Sequence, residues 1–391
     1  MDLFIDTYFE NASALRWEQT GPETVDFDLI PDHARMSPNR QMTHWNFTVQ
    51  VPAAAVGGSL RLRFRPVTSC WNGRPAPALR RYPLTSVICS DGMTWRPLAM
   101  RDCPDEGFAK EMTLPLASPR VRVAHLVPYN DSDLQASLAR LRAFPEARVY
   151  VMGATVEGRP LEMVEIGAPD APGRVLLRAR AHPWETGGSW VLEGLMRFLV
   201  SPMAAELRRR LCVCMMPMAN KDGVVRGLSR FNVAGVDLNR GWGLEPPHDP
   251  VLSPENACLQ AWLTEQQRQG RLPGLAICLH NDDGGNLHLS HPSRDADGYL
   301  QRMKTFEALL RQLTWYTEGT ASAGFVNSGT FGEGLCELYG IDALVYELRA
   351  CWAAGLGRTP MPADWMDLGR NLAFVFDRYL ASIGTRGYGR V

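Results

Sequence analysis

The chain has 391 residues with 41 basic and 42 acidic side chains, and 45% of its residues are hydrophobic. This composition is ordinary for a soluble globular protein, and the length suits two domains. Because the charges nearly cancel, we expect neither a nucleic-acid partner nor a membrane partner. The chain lacks a signal-peptide pattern, an apolar stretch of the ~20 residues that span a bilayer, and a CxxC framework among its nine cysteines. We therefore predict a cytoplasmic protein with reduced thiols.

The first third of the chain alternates apolar and polar residues over short stretches separated by Gly, Pro, Asn and Asp. This alternation is typical of strands at 45–52, 59–67 and 121–127. A convincing helical period is absent before Pro128. We predict a small sandwich of antiparallel strands over residues 1–126.

Strands and helices alternate after this region, which predicts an α/β domain over residues 127–391, with a mixed, mostly parallel sheet sandwiched by helices. The strand at 211–218 is apolar at its centre, so we expect it to be buried on both faces. Cys212 and Cys214 share one face of that strand and should pack as small hydrophobic groups. The predicted strands are 148–154, 161–168, 174–181, 211–218, 274–280 and 343–350, and the predicted helices lie near 130–144, 189–200, 253–268, 299–314 and 364–381.

Polar side chains follow several of these strands, and ligands bind at strand ends in such folds. His182 and Glu185 come after the strand at 174–181, and His280 ends the strand at 274–280. Two histidines and a glutamate are a typical ligand set for catalytic zinc, which keeps a fourth position for water. A further carboxylate outside that set can take the proton of the water, and Glu347 is the candidate.

A glycine-rich stretch at 217–242 supplies Arg230, Asn239 and Arg240. An arginine fork matches a carboxylate in a bidentate manner. Zinc next to such arginines predicts an enzyme that removes the last residue of a peptide. Each signal alone is weak, because HxxE pairs often occur by chance and a strand-end histidine is more often a surface or core residue. The order of the signals along the chain is what makes the prediction specific.

The sequence resembles the zinc carboxypeptidase family, and within it the cytosolic carboxypeptidase branch. The resemblance covers nearly the whole chain, most strongly 123–352, and it implies the carboxypeptidase fold. It further implies hydrolysis of the C-terminal peptide or isopeptide bond of a peptide or protein. The matching motifs are VAHLVPYNDSDL at 123–134, HPWE at 182–185, NKDGV at 220–224, Arg230, GVDLNR at 235–240, His280 and ELR at 347–349.

This resemblance assigns roles to the residues at the strand ends. It implies that His182, Glu185 and His280 bind one zinc ion per chain. It implies that Glu347 activates the water and then carries the proton to the leaving amine.

The resemblance also assigns the substrate-binding residues. Arg230 would help to stabilise the oxyanion, and Asn239 and Arg240 would bind the terminal carboxylate of the substrate. Relatives that remove glutamate carry a basic residue shortly before the catalytic glutamate, where this chain has Glu333. A carboxylate there would favour a substrate with a C-terminal Lys, Arg or other amino-bearing residue.

The chain departs from the family pattern in two aromatic positions. Many carboxypeptidases close a tyrosine over the substrate, but the corresponding stretch at 322–334 contains none, and Phe325 or Phe331 could pack there instead. Trp184 stands where many cytosolic relatives have glycine. We expect its indole against the wall of the cleft or in the packing of the adjoining helix.

The residues directly after the third proposed ligand also differ from the family pattern. Asn281, Asp282 and Asp283 could orient that ligand or form a turn, and their Asn-Asp-Asp-Gly-Gly context favours the turn. His288 and His291 could be additional metal ligands, although histidines in loops are more often surface groups.

Two other functions are compatible with these motifs. The first is a zinc amidohydrolase that acts on small N-acyl amino acids and resembles the aspartoacylase and succinylglutamate desuccinylase group. The N-terminal β region and the PYNDSDL junction argue against it. The second is a non-catalytic binding module, although every proposed ligand and the base are retained. The sequence leaves open the natural substrate, the role of the N-terminal region and the oligomeric state.

Overall fold

The computed structural model describes residues 2–35, 37–71, 73–79, 85–243, 248–321 and 328–384. The chain divides into two compact units. The predicted domain limits, 1–126 and 127–391, remain a prediction about folding domains. Two short segments from the middle of the chain also group with the first unit, and the sequence gives no sign of this grouping. That unit comprises Met1–Asn130, His182–Trp184 and Asp222–Val236, and the second comprises Asp131–Ala181, Glu185–Lys221 and Asp237–Val391.

The first unit is built from short strands, as the alternating sequence predicts. Its two five-stranded sheets have the orders β1-β4-β12-β8-β9 and β10-β11-β5-β3-β2, and β6 pairs with β7. The strands are β1 (Phe4–Asp6), β2 (Leu15–Gly21), β3 (Thr24–Leu29), β4 (Asn46–Gln50), β5 (Ser59–Phe64), β6 (Thr68–Trp71), β7 (Arg74–Pro77), β8 (Thr85–Cys89), β9 (Arg96–Ala99), β10 (Arg101–Asp102), β11 (Lys110–Pro115) and β12 (Arg120–Ala124).

Aromatic side chains join the two larger sheets of this unit. Phe27 of β3 stacks on Phe47 of β4 with 4.7 Å between ring centroids, and both rings are buried. The predicted β architecture of the N-terminal region is therefore confirmed. The expectation of purely antiparallel pairing is wrong, because β3 runs parallel to β5.

A second aromatic group in the first unit accounts for Trp184. The imidazole of His125 lies 4.3 Å from Trp45 and 5.0 Å from Trp184, measured between ring centroids, and it stacks with both rings. The indole of Trp184 thus packs on a residue of the same unit, and its place at the wall of the cleft stays a prediction. Burial and nearby His44 lower the pKa of His125 to about 3.

The second unit contains a seven-stranded sheet with the order β13-β14-β16-β15-β17-β19-β18. Strands β16, β15, β17 and β19 run parallel, whereas β13, β14 and β18 pair antiparallel at the two sides of the sheet. The predicted mixed sheet is thus confirmed. Its strands are β13 (Ala147–Ala154), β14 (Pro160–Ile166), β15 (Gly173–Ala179), β16 (Leu211–Met216), β17 (Leu275–Asp282), β18 (Leu287–Leu289) and β19 (Asp342–Arg349).

Helices pack against this sheet and against one another. Helices α2 and α8 approach closely at two glycines: a Cβ at Gly194 would lie 2.1 Å from the carbonyl oxygen of Met366, and one at Gly369 would lie 1.9 Å from that of Val191. Among the described residues, no helix is both long and apolar enough to span a bilayer. The helices are α1 (Asp131–Arg142), α2 (Gly187–Leu199), α3 (Ala205–Arg210), α4 (Lys221–Val225), α5 (Pro254–Arg268), α6 (Ala296–Leu313), α7 (Phe331–Tyr339) and α8 (Pro362–Ile383).

The two cysteines of β16 are buried as predicted, but their surroundings are polar. Arg174 donates hydrogen bonds to the Sγ atoms of Cys212 at 3.4 Å and Cys214 at 3.2 Å. The Glu165 carboxylate also lies near both sulfurs and can accept a bond from Tyr150 at 2.7 Å. The predicted burial of both thiols is therefore confirmed, and the sulfurs also accept hydrogen bonds from a buried arginine.

We predict that His125 makes the protein less stable in mild acid. Its folded pKa of about 3 lies below the ordinary 6.5. The unfolded chain therefore binds the proton first, and stability is lost as the pH falls below 6.5. From pH 7 to pH 5 the loss amounts to about 2 kcal/mol.

The His125→Phe variant keeps an aromatic ring but cannot take up the proton. Its urea unfolding midpoint should therefore fall less between pH 7 and pH 5 than that of the wild type. Parallel pH dependences of the two proteins would contradict this prediction.

Candidate metal centre and active site

The candidate site begins where the chain leaves β15. Arg180, one residue after that strand, is buried and has a φ of 58°. This left-handed conformation is uncommon for a residue other than glycine and needs support from its surroundings. The Arg180 carbonyl accepts a hydrogen bond from the Asn220 N–H at 3.0 Å, which holds the turn that precedes the HPWE segment.

The predicted zinc ligands lie close together and are buried. Oε2 of Glu185 is 2.8 Å from Nδ1 of His280. His182, Glu185 and His280 each offer one ligand atom, and these three atoms lie within 4.8 Å of one another. Two imidazoles and one carboxylate suit Zn²⁺, so the chemistry of the donor set fits this metal.

The second nitrogen of the His280 ring has its own neighbour. Nε2 of His280 lies 3.1 Å from Sγ of Cys278, two residues earlier on β17. A histidine that binds zinc through one nitrogen usually donates the N–H of the other to a fixed acceptor, which sets the tautomer and ring orientation. Cys278 is placed to serve as that acceptor for His280.

Asn281 connects the Glu185 segment to β19. Its Oδ1 accepts a hydrogen bond from the Gly187 N–H at 2.8 Å, and its Nδ2 donates to the Leu348 carbonyl at 3.0 Å. The interpretation of Asn281 as a turn residue is therefore wrong, because β17 continues through Asp282. The amide of Asn281 helps to fix the start of α2, which begins two residues after Glu185.

The turn that the sequence predicts begins only after Asp282. Oδ1 of Asp282 accepts the N–H groups of Gly284 and Gly285 at 2.8 and 2.6 Å, and burial raises the pKa of this carboxyl to about 6. Ligand atoms of Asp282, His288 and Glu347 lie within 4.8 Å of one another. Burial, together with nearby His280, lowers the pKa of His288 to about 4, so this imidazole is neutral at neutral pH.

The predicted general base lies on the strand next to His280. Glu347 of β19 is opposite His280 of β17 in the parallel register, and its N–H donates to the Asn286 carbonyl at 3.1 Å. Residues opposite each other in neighbouring strands point to the same face of a sheet. The sheet therefore brings a proposed metal ligand and the proposed base together.

The segment that carries Asn239 and Arg240 is fixed by buried polar groups. Oδ1 of Asn239 accepts the Phe331 N–H at 3.0 Å, and Nη1 of Arg240 donates to the Asn239 carbonyl at 2.8 Å. Arg178 of β15 is fully buried and donates to the Leu238 carbonyl at 3.0 Å. Sequence reasoning gave Arg178 no role, although two arginines at the end of an apolar strand, in VLLRARA, were a usable signal.

Glu333 takes part in capping the start of α7. Its carboxylate accepts hydrogen bonds from the Thr330 N–H at 2.9 Å and the Ser328 N–H at 3.2 Å, and Thr330 completes a capping box. Its role as a substrate-binding residue stays a prediction. Phe331 is buried against Trp242 with 5.2 Å between ring centroids. Phe325 lies outside the described residues.

Arg230 belongs to the first unit, where it is buried. Nη1 of its guanidinium donates to Oε1 of Gln41 at 2.8 Å, and its main-chain N–H donates to the Asp32 carboxylate at 2.6 Å. Of the other proposed site residues, His182 also groups with the first unit, whereas Glu185, Asn239, Arg240, His280, Glu333 and Glu347 group with the second.

Comparison with known proteins supports the same family at the level of sequence. The zinc carboxypeptidase family profile matches residues 134–269. Cytosolic carboxypeptidase 6 of Homo sapiens is 30% identical over 265 residues, which cover 62% of this chain and 50% of the relative. Cytosolic carboxypeptidase 2 of Danio rerio is 37% identical over 133 residues, which cover 31% of this chain and 18% of the relative. The matches thus span half or less of these relatives, and the predicted resemblance to the cytosolic branch is confirmed.

Solved structures show the fold over nearly the whole chain. A metallo-carboxypeptidase from Burkholderia cenocepacia has a TM-score of 0.83 at 20% identity, covering 98% of this chain and 100% of its own. A metallo-carboxypeptidase from Pseudomonas aeruginosa, in complex with (2-guanidinoethylmercapto)succinic acid, has a TM-score of 0.80 at 21% identity with the same coverage. The predicted carboxypeptidase fold, preceded by a β region, is therefore confirmed.

We predict that Cys278 supports zinc binding through His280. Removing the acceptor in Cys278→Ala should weaken zinc affinity roughly 10-fold to 100-fold, as losses of such partners do. Cys278→Ser should retain most of the affinity, because a hydroxyl also accepts a hydrogen bond. Competition with a chromogenic chelator measures the dissociation constant.

Cys336→Ala is the matched control, since this buried thiol lies on α7 and has the Ala343 carbonyl as its partner. Equal zinc affinities for Cys278→Ala and the wild type would rule out this role for Cys278.

Proposed function

We propose that the chain is a zinc metallocarboxypeptidase that hydrolyses the C-terminal peptide or isopeptide bond of a peptide or protein. The observation that carries this proposal is the pairing of buried Glu185 and His280, with Glu347 opposite His280 in the next strand. The resemblance to cytosolic carboxypeptidases supports it. The cytoplasmic location and a peptide or protein C-terminus as the substrate are likewise proposals.

The proposed metal ligands are His182, Glu185 and His280, with one zinc ion per chain. Zinc bound there would polarise the scissile carbonyl and lower the pKa of a water. Glu185 supplies negative charge that compensates a divalent cation in a buried position, where an uncompensated charge would be costly. Cys278 would hold His280 in place through its contact with Nε2, and Asn281 would hold the segment after Glu185 through the Gly187 N–H.

Glu347 is the proposed general base. A carboxylate beside the ligand set can accept a proton from the attacking water and later deliver it to the nitrogen of the leaving amine. One carboxyl group would thus act first as the general base and then as the general acid, and no further acid is required.

The remaining polar residues would bind the substrate. The Arg230 guanidinium is proposed to donate to the oxygen of the scissile carbonyl as negative charge develops there. Arg240 is proposed to bind the terminal carboxylate through its fork, and Asn239 to donate to it. This recognition restricts cleavage to the last residue of a chain.

We predict that Glu347→Gln and Arg240→Ala change different kinetic constants. Loss of the base should lower kcat by about 10²-fold to 10⁴-fold. Loss of the carboxylate fork should mainly raise KM, since that interaction is already present with the bound substrate. Both constants are measured on a peptide library with varied C-terminal residues, with N-acetylated amino acids as alternative substrates.

Glu265→Gln is a matched control, because this carboxylate is exposed on α5 and pairs with Arg268. A chelator should abolish activity in the wild type, and added zinc should restore it. Normal kcat in Glu347→Gln would overturn the role of the base, and cleavage of N-acetyl amino acids alone would favour an amidohydrolase.

We also propose that Glu333 selects a basic C-terminal residue. The compound held by the Pseudomonas aeruginosa protein contains a guanidino group and two carboxyl groups, so its chemistry resembles a C-terminal arginine. A half-buried carboxylate near the substrate side chain would favour such a cation and repel glutamate.

Glu333→Gln tests this selection without removing the helix cap, since glutamine also serves in a capping box. The wild type should cleave C-terminal Lys or Arg fastest, and the variant should lose roughly 10-fold of that preference, the equivalent of about 1.4 kcal/mol. Fastest cleavage of C-terminal Glu by the wild type would contradict the prediction.

A further inference from the structure

The loop that carries Arg230 is fastened along its length by residues from the start of the chain. Asn11 donates to the carbonyls of Val224 at 2.8 Å and Val225 at 3.1 Å. Arg35 donates to the carbonyls of Ala234 at 2.7 Å and Gly235 at 2.8 Å. All of these contacts lie within the first unit, so both ends of segment 222–236 are anchored on it.

The centre of this loop is held by a single carboxylate. Oδ2 of Asp32 accepts the consecutive main-chain N–H groups of Ser229 at 3.0 Å, Arg230 at 2.6 Å and Phe231 at 3.2 Å. Oδ1 of Asp32 shares the Ser229 donor at 3.0 Å. Successive N–H groups that converge on one anion form a concave binding site for negative charge, and here the anion is a side chain of the protein.

The three donors depend on this carboxylate. Ser229, Arg230 and Phe231 are buried, and a buried N–H group that loses its acceptor destabilises the local structure. Burial raises the pKa of the Asp32 carboxyl, whereas the three N–H donors and the Arg230 guanidinium favour its charged form. Both carboxylate oxygens of Asp32 lie within hydrogen-bond distance of these main-chain donors, so the geometry is that of an acceptor for all three N–H groups.

The side chain of Arg230 is fixed from the same part of the chain. Nη1 donates to Oε1 of Gln41, and the guanidinium carbon lies 5.8 Å from the centre of the Trp71 ring. Asp32 thus sets the position of the main chain, and Gln41 and Trp71 set the direction of the side chain. Each group that orients Arg230 in these contacts belongs to the β-rich first unit.

We propose that Asp32 is a positioning residue for catalysis: it fixes the main chain of Arg230, the proposed donor to the oxyanion. This inference rests on the proposed carboxypeptidase activity. It concerns the turnover step, because a donor aimed at developing charge acts in the transition state and contributes little to substrate binding.

Asp32→Ala should therefore lower kcat with little change in KM. We expect a loss of roughly 10-fold to 100-fold, because a small misplacement of a catalytic group has that effect. Asp32→Asn keeps one acceptor oxygen and replaces the other with an amide donor, so its kcat should fall between those of the wild type and Asp32→Ala. Asp28→Asn is the matched control, since this carboxylate of the same unit is half exposed and lies 3.5 Å from Arg65.

A double-mutant cycle with Arg230→Ala separates positioning from general damage. If Asp32 acts through Arg230, removing Asp32 from the Arg230→Ala protein should lower kcat by less than 2-fold. An equal loss in both backgrounds would overturn the proposal, because it would show that Asp32 supports the fold as a whole. Zinc content and thermal unfolding identify any variant that fails to fold. If Asp32→Ala fails to fold, Asp32→Asn takes its place in the cycle.

Hydrogen exchange provides a readout that does not depend on activity. In Asp32→Asn, amide exchange should rise selectively in the peptide that contains residues 229–231, whereas Asp28→Asn should leave it unchanged. Unchanged protection in Asp32→Asn would overturn the proposal. If the wild type cleaves no peptide but exchange rises as expected, the carboxypeptidase assignment fails while the positioning of Arg230 by Asp32 stands as a structural fact.

Discussion

The parallel pairing of β17 with β19 is the constraint on which the candidate site depends. The register sets His280 opposite Glu347 and Asn281 opposite Leu348. A shift of one residue would turn either side chain to the other face of the sheet. Parallel neighbours also require a long crossover, so two residues far apart in the sequence become adjacent only when the sheet is complete. The chemistry of the site is thus coupled to the assembly of the second unit.

The sequence predicted those features that leave a local pattern. Apolar runs and alternation marked the strands that became β15, β16, β17 and β19, and their ends carried the residues that the structure brings together. The HPWE segment was recognisable because its two polar residues follow an apolar strand at a fixed spacing. Similarly, Glu347 stood out because a carboxylate in an apolar strand needs a partner or a function.

The sequence could not predict the groups that support the site, because their partners are main-chain atoms far away in the sequence. Asn281 binds a carbonyl on one strand and an N–H at the start of a helix, and any polar residue after His280 would have looked similar. Turn propensity was a misleading guide there, since the pairing with β19 extends the strand. In the same way, nothing in the residues around Asp32 indicates that a loop from the middle of the chain supplies its three donors.

The loop that carries Arg230 needs support from other parts of the chain, because ordering an irregular loop costs conformational entropy. Fixing each residue of such a loop costs roughly 1–2 kcal/mol of conformational entropy, and the loop has no strand ladder of its own to offset that cost. Gly227 and Gly235 adopt positive φ values, and a Cβ at Gly227 would lie 2.0 Å from the Ala12 carbonyl oxygen. A loop with this shape keeps it only when a rigid partner supplies acceptors and donors. Asn11, Asp32 and Arg35 provide them from the start of the chain, so these three residues set the position of the main chain that carries Arg230.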